Sequence, residues 1–311
     1  MVFVYVTELL ITVYRVMTVY IIQFYYRDHF RNLLTEALHL HQRVSELMNG
    51  AWIFNKTFYR CYTSKVTGVV FQFAIISYLI SLYKQMASAI FNCDLLTFSM
   101  FIYIHFTAIT MSSVFYAGMM FVLLIFQNLN RKASQLSNSI KDTELKIRMK
   151  CELCGRLCDE VDQIVYIYER AVTFLKNFNR FFSFQLLFTF INAIYVVLVE
   201  LYYIYDNVRQ MSSDPDSMEF LYGHIVKDLA YMLCFAIEFF HIVLISSTVT
   251  EVALQTGMAF RAHFNIVDSR LKQSIELLTL QNLLISPTVM AGGLIEIKTT
   301  ILFAVGSWSL Y

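Results

Sequence analysis

Six apolar runs, at about residues 1–26, 66–83, 95–126, 181–205, 225–249 and 295–311, constrain this chain more than any other feature of its sequence. Hydrocarbon holds no water to satisfy a backbone N–H or C=O, so a segment that enters it must bond its own backbone. Runs near 20 apolar residues do so as α-helices. Apolar residues make up 58% of the 311, charged residues 15%, and only 2 are Pro, a balance that excludes a soluble globular domain and a loop-rich one. The expected fold is an all-α polytopic membrane protein, one domain over 1–311 with six spans present.

Orientation follows from Lys and Arg in the connections. The connection 27–65 holds Arg27, Arg31, Arg43, Lys56, Arg60 and Lys65, and 127–180 holds ten basic residues, Arg131, Lys132, Arg148, Arg156 and Arg180 among them. The connection after Val249 adds Arg261, Arg270 and Lys272. These alternate with two poor ones, 84–94 with Lys84 at its edge and 206–224 with Arg209 against Asp206, Asp214, Asp216 and Glu219. The basic loops are therefore expected in the cytoplasm and Met1 outside. No basic n-region or small-residue cleavage site marks a signal peptide, so a further span is expected upstream of Met1. The last run is expected to be cut off: Glu296 to Tyr311 is sixteen positions, about 24 Å of helix against a core of about 30 Å.

The cytoplasmic connections have helical periodicity. In the longest, a helical loop over 127–180, Leu153, Leu157, Val161, Ile164, Tyr168, Val172 and Leu175 recur at three and four, with Glu152, Asp159, Glu160, Asp162, Glu169 and Arg170 off that stripe. Such a helix must bury one face. A similar stripe is read in the first loop at Leu34, Leu38, His41, Val44 and Leu47-Met48. Membrane helices prolonged into the cytoplasm are the coarse architecture. Cys151, Cys154 and Cys158 invite a zinc reading, but a structural site takes four ligands and no fourth stands near them. Packing thiols are expected, with no metal and no cofactor, and Cys93 is the single cysteine placed outside.

Ionisable residues within hydrocarbon are costly, so each is a functional candidate. Glu238 and His241 lie three apart near the middle of the fifth run, His105 lies within the third, and Glu200 sits near the outer end of the fourth, where it could reach water. Two readings stand for them: a polar lining for a ligand pocket between helices, or internal hydrogen-bonded groups that lock packing. Glu8 and Arg15 read as an intramembrane ion pair. The 28 Phe and 20 Tyr read either as lipid-facing and belt aromatics or as an aromatic cage. The chain carries no glycine-rich phosphate loop, His-Glu-x-x-His or Gly-x-Ser-x-Gly, so no enzyme is expected. Its near-neutral charge, 24 basic against 23 acidic, gives no argument for nucleic acid.

One segment carries a specific resemblance. Leu280-Gln281, Ala291, Gly292-Gly293, Leu294-Ile295-Glu296-Ile297-Lys298 and Ile301-Leu302-Phe303 resemble the approach to the last membrane helix of insect gustatory receptors. Arg27-Asp28-His29-Phe30 with Leu33-Leu34 and Leu38-His39-Leu40 resembles the stretch after that family's second span. Tyr311 falls at or beside the tyrosine of the family's Thr-Tyr, five variable residues and Gln-Phe ending, but Leu310 replaces the threonine and the Gln-Phe is absent. The resemblance implies a seven-span bundle with a cytoplasmic N-terminus, in which the six runs here are the second to seventh. It further implies a ligand-gated cation channel of the plasma membrane in taste neurons, activated by a small-molecule tastant and embedded in membrane lipid. A homo- or heterotetramer would line its pore with the last span, through Ile301, Val305, Trp308 and Tyr311, and bind ligand in the outer half of the other spans.

Two other readings remain. A G-protein-coupled receptor would want the opposite orientation, an Asp/Glu-Arg-Tyr after its third span and an Asn-Pro-x-x-Tyr in its last. A secondary transporter would want Gly- or Pro-interrupted helices in matching halves, whereas Pro215 and Pro287 fall outside span centres.

Overall fold

A computed structural model describes residues 24–90, 95–145, 151–213, 218–258, 269–284 and 287–301, with the pairs 13–14, 17–18 and 20–21. Glu8, Arg15, Cys93 and residues 302–311 lie outside them, and so does most of the expected first span. The described chain forms α1 (Arg27–Leu47), α2 (Lys56–Ile90), α3 (Leu95–Leu145), α4 (Cys151–Ser213), α5 (Met218–Met258) and α6 (Ser269–Leu284), then a hairpin of β1 (Met290–Ala291) and β2 (Ile295–Glu296).

The lengths of these helices follow from their sequence, because α3 and α4 contain no proline to interrupt them and their apolar residues keep helical spacing throughout. At 1.5 Å per residue, the 51 residues of α3 and the 63 of α4 extend about 76 and 94 Å, far beyond a hydrocarbon core of about 30 Å. Stretches Ile109–Ile140, Gly155–Gln210 and Leu221–Thr256 are long and apolar enough to cross a membrane. Any crossing leaves long ends of α3 and α4 outside the lipid, so their apolar stripes need protein partners there.

The stripe of α4 finds them. Leu157, Val161, Ile164, Tyr168, Val172 and Leu175 are all buried, while Asp159, Asp162, Glu169 and Arg170 are exposed. Against this face α3 brings Phe115, Phe121 and Phe126. Phe115 meets Phe178 and Phe182 at 5.8 and 5.6 Å between ring centroids, Phe121 meets Phe174 at 6.0 Å, and Phe126 meets Tyr168 at 5.8 Å. Many of the aromatics thus form an interhelical zipper, a third use beside the belt and the cage. Exposed Tyr59, Tyr62, Tyr103, Tyr202, Tyr205 and Tyr222 suit the belt.

Helix α1 packs on α4 through Leu33, Leu40, Val44 and Leu47. The stripe expected from Leu34 and Leu38 is therefore rotated: these are 53% and 71% exposed. Two apolar stripes overlap on this helix, and the one in line with Val44 and Leu47 by steps of four, three and seven is the one that reaches the core. Ion pairs fasten the same region from outside: Lys132 to Glu160 at 2.6 Å, Arg270 to Asp159 at 3.1 Å and Arg170 to Glu36 at 4.0 Å.

The sequence expectation of a span opening at Ile295 meets a different structure. Ile295 and Glu296 pair antiparallel with Ala291 and Met290, and helical residues resume at 300–301. The reason lies in Gly292 and Gly293, whose φ values of 62° and 68° set the tight turn and are accessible to glycine without strain. Gly292 N–H donates to the Ser183 carbonyl at 2.9 Å, and Thr250 Oγ donates to the Pro287 carbonyl at 3.1 Å. Val289, Ala291 and Ile297 are buried beneath. The hairpin is thereby clipped to α4 and α5 together.

A methyl group on Gly292 would lie 2.6 Å from Leu187 Cδ2 and would also hold a left-handed backbone, at about 1–2 kcal/mol. Gly292→Ala should therefore lower the unfolding temperature of the purified chain, and Leu187→Ala should restore only the steric part. A Gly292→Ala chain as stable as the native one would refute the clip.

Candidate functional site

The contact of α2 with α5 is built on polar residues at helical spacing. Ser64, Lys65, Gly68 and Gln72 share one face of α2, and Cys234, Glu238 and His241 share one face of α5. Gly68 permits the approach: a Cβ there would stand 2.2 Å from His241 Cε1. The imidazole Nε2 lies 3.0 Å from the Ser64 carbonyl and 3.2 Å from Ser64 Oγ. A carbonyl only accepts, so Nε2 carries the proton in this contact.

Helix α3 closes the cluster with Tyr116, whose hydroxyl donates to the Cys61 carbonyl at 2.8 Å. Its ring meets His241 edge-on at 6.1 Å, and Lys65 Nζ stands 5.5 Å from its centroid. Lys65 and Glu238 are 8% and 4% exposed and attract each other across the contact. Gln72 Nε2 donates to the Cys234 carbonyl at 2.9 Å. A buried cation thus has a carboxylate and an aromatic face for company, which offset part of the cost of its burial.

Glu238 and His241 are both buried on the face of α5 that meets α2, where the imidazole bonds to Ser64; Ser64, Lys65, Gly68, Gln72 and Tyr116, which sequence reasoning missed, complete the cluster. The sequence groups Lys65 with the basic loop because it precedes the apolar run by one residue; the helix that begins at Lys56 carries it inward. Glu200 is 7% exposed, so it does not reach water, because it falls on the inner face of α4 in line with Ala193 and Val196. The Phe190–Phe239 contact at 4.9 Å fixes the register of α4 and α5, placing Glu200 ten residues, about 15 Å, from the level of Phe239. His105 lies in α3, its side chain outside the described residues. Among the proposed pore residues, Ile301 is half-buried against the core, while Val305, Trp308 and Tyr311 lie outside the described residues.

A second polar group, also missed, joins α4 and α5 farther along. Asp228, 3% exposed, accepts from Asn207 Nδ2 at 3.3 Å and pairs with Lys227 at 3.0 Å. Cys61, Cys158 and Cys234 are buried and take part in no disulfide. Among the described residues, no three His, Cys, Asp or Glu side chains gather as they would around a metal.

The family model for 7tm chemosensory receptors matches residues 1–310 of this sequence. No curated protein matches it.

Lys65 and Glu238 are both buried and attract across the contact, so removing either charge leaves the other less compensated. Lys65→Met should accordingly destabilise the chain, and adding Glu238→Gln should recover part of the loss in thermal unfolding. Additive losses in the double variant would show that the two charges do not act as a pair.

Proposed function

Because the chain belongs to the 7tm chemosensory receptor family, we propose that it is a gustatory receptor subunit, a cation channel of the plasma membrane opened by a small-molecule tastant. The observation that carries this is the family match over 1–310, nearly the whole chain. With its apolar helices, that match makes the protein a multi-pass membrane chemoreceptor. On the proposed reading α2 supplies a further span over 66–83, its Val66, Val70, Phe71, Phe73 and Tyr78 exposed toward lipid, and the run at 1–26 and the apolar chain that follows the hairpin from residue 300 supply two more.

The basic connections lie in the cytoplasm, where the extended ends of α3 and α4 pack subunits into a homo- or heterotetramer. The last span lines the pore through Ile301, Val305, Trp308 and Tyr311. Ligand binds between the membrane helices in reach of Glu238, His241, His105 and Glu200, and stabilises the open packing by its greater affinity for that state. What supports gating through these helices is the hairpin: bonded to Ser183 of α4 and to Thr250 of α5, it leads directly into Ile301.

Two measurements test this reading. In intact cells a membrane-impermeant thiol reagent should label Cys93, and Cys151 and Cys154 should react only after permeabilisation; the reverse pattern gives the orientation of a G-protein-coupled receptor. In excised patches dialysed without GTP, tastant should still evoke a cation current, and Ile301→Glu should change its ion selectivity. A response that vanishes without GTP would assign the chain to G-protein coupling instead.

A further inference from the structure

The buried face of α4 is polar where its neighbourhood is most apolar. Gln185, Thr189, Asn192, Val196 and Glu200 recur at steps of four, three, four and four, so they share one face, and each is 7% exposed or less. The opposite face, with Phe184, Ile191, Ile194, Leu198 and Leu201, is exposed. A helix surrounded by lipid with no polar task would be apolar on both.

Asn192 is the member that points to a ligand. It is 1% exposed, and neither its carboxamide oxygen nor its nitrogen has a hydrogen-bond partner. Ser112 Oγ on α3 is unpartnered too, in a residue 3% exposed. Contacts between the helices place these groups at about one depth. Tyr116 meets His241 and Phe190 meets Phe239; one turn back along α3 lies Ser112, and two residues on along α4 lies Asn192. A dry, unpaired carboxamide is strongly unfavourable, and leucine would fill the same space without that cost.

We infer that Asn192, with Ser112, takes the hydroxyl or carbonyl group of an uncharged ligand seated between α3, α4 and α5. The carboxamide and the hydroxyl offer donors and acceptors but no counter-charge, so an ammonium or carboxylate would lose its water there without recompense. The acidic group nearest in depth, Glu238, is drawn to Lys65, and Glu200 stands eight residues, about 12 Å, farther along the same face of α4. This rests on the chemoreceptor reading for the ligand's role in gating, but the binding is measurable without any current.

The test uses the full chain purified into lipid nanodiscs and its thermal unfolding with four sets of probes: cyclic alcohols, cyclic ketones, and the ammonium and carboxylate compounds of the same ring skeletons. Neutral members should raise the unfolding temperature and charged ones should not. Asn192→Leu should raise the stability of the unliganded chain while weakening the neutral probes about tenfold or more; Phe184→Leu, on the exposed face, should change neither. Should Asn192→Leu fail to fold, Asn192→Ser takes its place, with weakened rather than lost binding. Stabilisation by charged probes alone, by no probe, or equally in Asn192→Leu and native chains would overturn the inference. Neutral probes that bind through Asn192 yet evoke no current would overturn the channel reading and leave this one standing.

Discussion

The packing of α3 against α4 sets the terms for everything else in this chain. Within hydrocarbon, apolar side chains gain nothing by leaving lipid for protein, so association rests on close van der Waals contact and on hydrogen bonds. The zipper of Phe115, Phe121, Phe174, Phe178 and Phe182 supplies contact of that kind with rigid rings that lose little freedom on ordering. Both helices are longer than a hydrocarbon core is thick, and wherever a stretch of the apolar stripe lies outside the lipid, burying it removes it from water and contributes hydrophobic stabilisation in the ordinary way. One continuous pair of helices is thus held by two different physical effects along its length.

Polar contacts then decide which helix pairs are pinned. Between α2 and α5 the pinning is dense: His241 to Ser64, Gln72 to the Cys234 carbonyl, and the attraction of Lys65 and Glu238, with Tyr116 of α3 bonded to Cys61. Hydrogen bonds to backbone carbonyls are specific in position, and Gly68 makes the approach close. The seam of α4 with α5 is different in kind. It is fastened by Asn207 and Asp228 toward one end and by the ring contact of Phe190 and Phe239 farther in, with Asn192 unpartnered between the two.

Much of this was legible in the sequence, for reasons that can be located. The stripe of α4 was readable because its period is clean and its charges fall on the opposite side. Glu238 and His241 were readable because ionisable residues are rare in apolar runs. Asn192 was not, since one carboxamide among Phe, Leu, Ile and Val barely disturbs hydropathy; the step pattern with Gln185 and Glu200 was the available signal. The inner stripe of α1 was misassigned because Leu33 and Leu34 begin two apolar rows, and only the partner helix chooses between them. The hairpin was hidden because Leu294, Ile295 and Ile297 look like the entrance to a span. The paired glycines before them, on which a tight turn depends, were the contrary evidence.

The hairpin also limits how the bundle can move. Its backbone is bonded to α4 at Ser183, two residues from Gln185 at the inner end of the polar face, and its leading segment is bonded to α5 at Thr250. Val289, Ala291 and Ile297 lie buried beneath it, so sliding it would break apolar contacts as well as two hydrogen bonds. A rotation or separation of α4 from α5 therefore cannot leave the hairpin in place on both. It must follow one helix or tilt between them, and Ile301, held to Lys298 by a backbone hydrogen bond of 3.0 Å, moves with it. A seam with an unpartnered amide in it and a rigid turn at its inner end converts a small change in helix spacing into a displacement of the residues that begin the last apolar run.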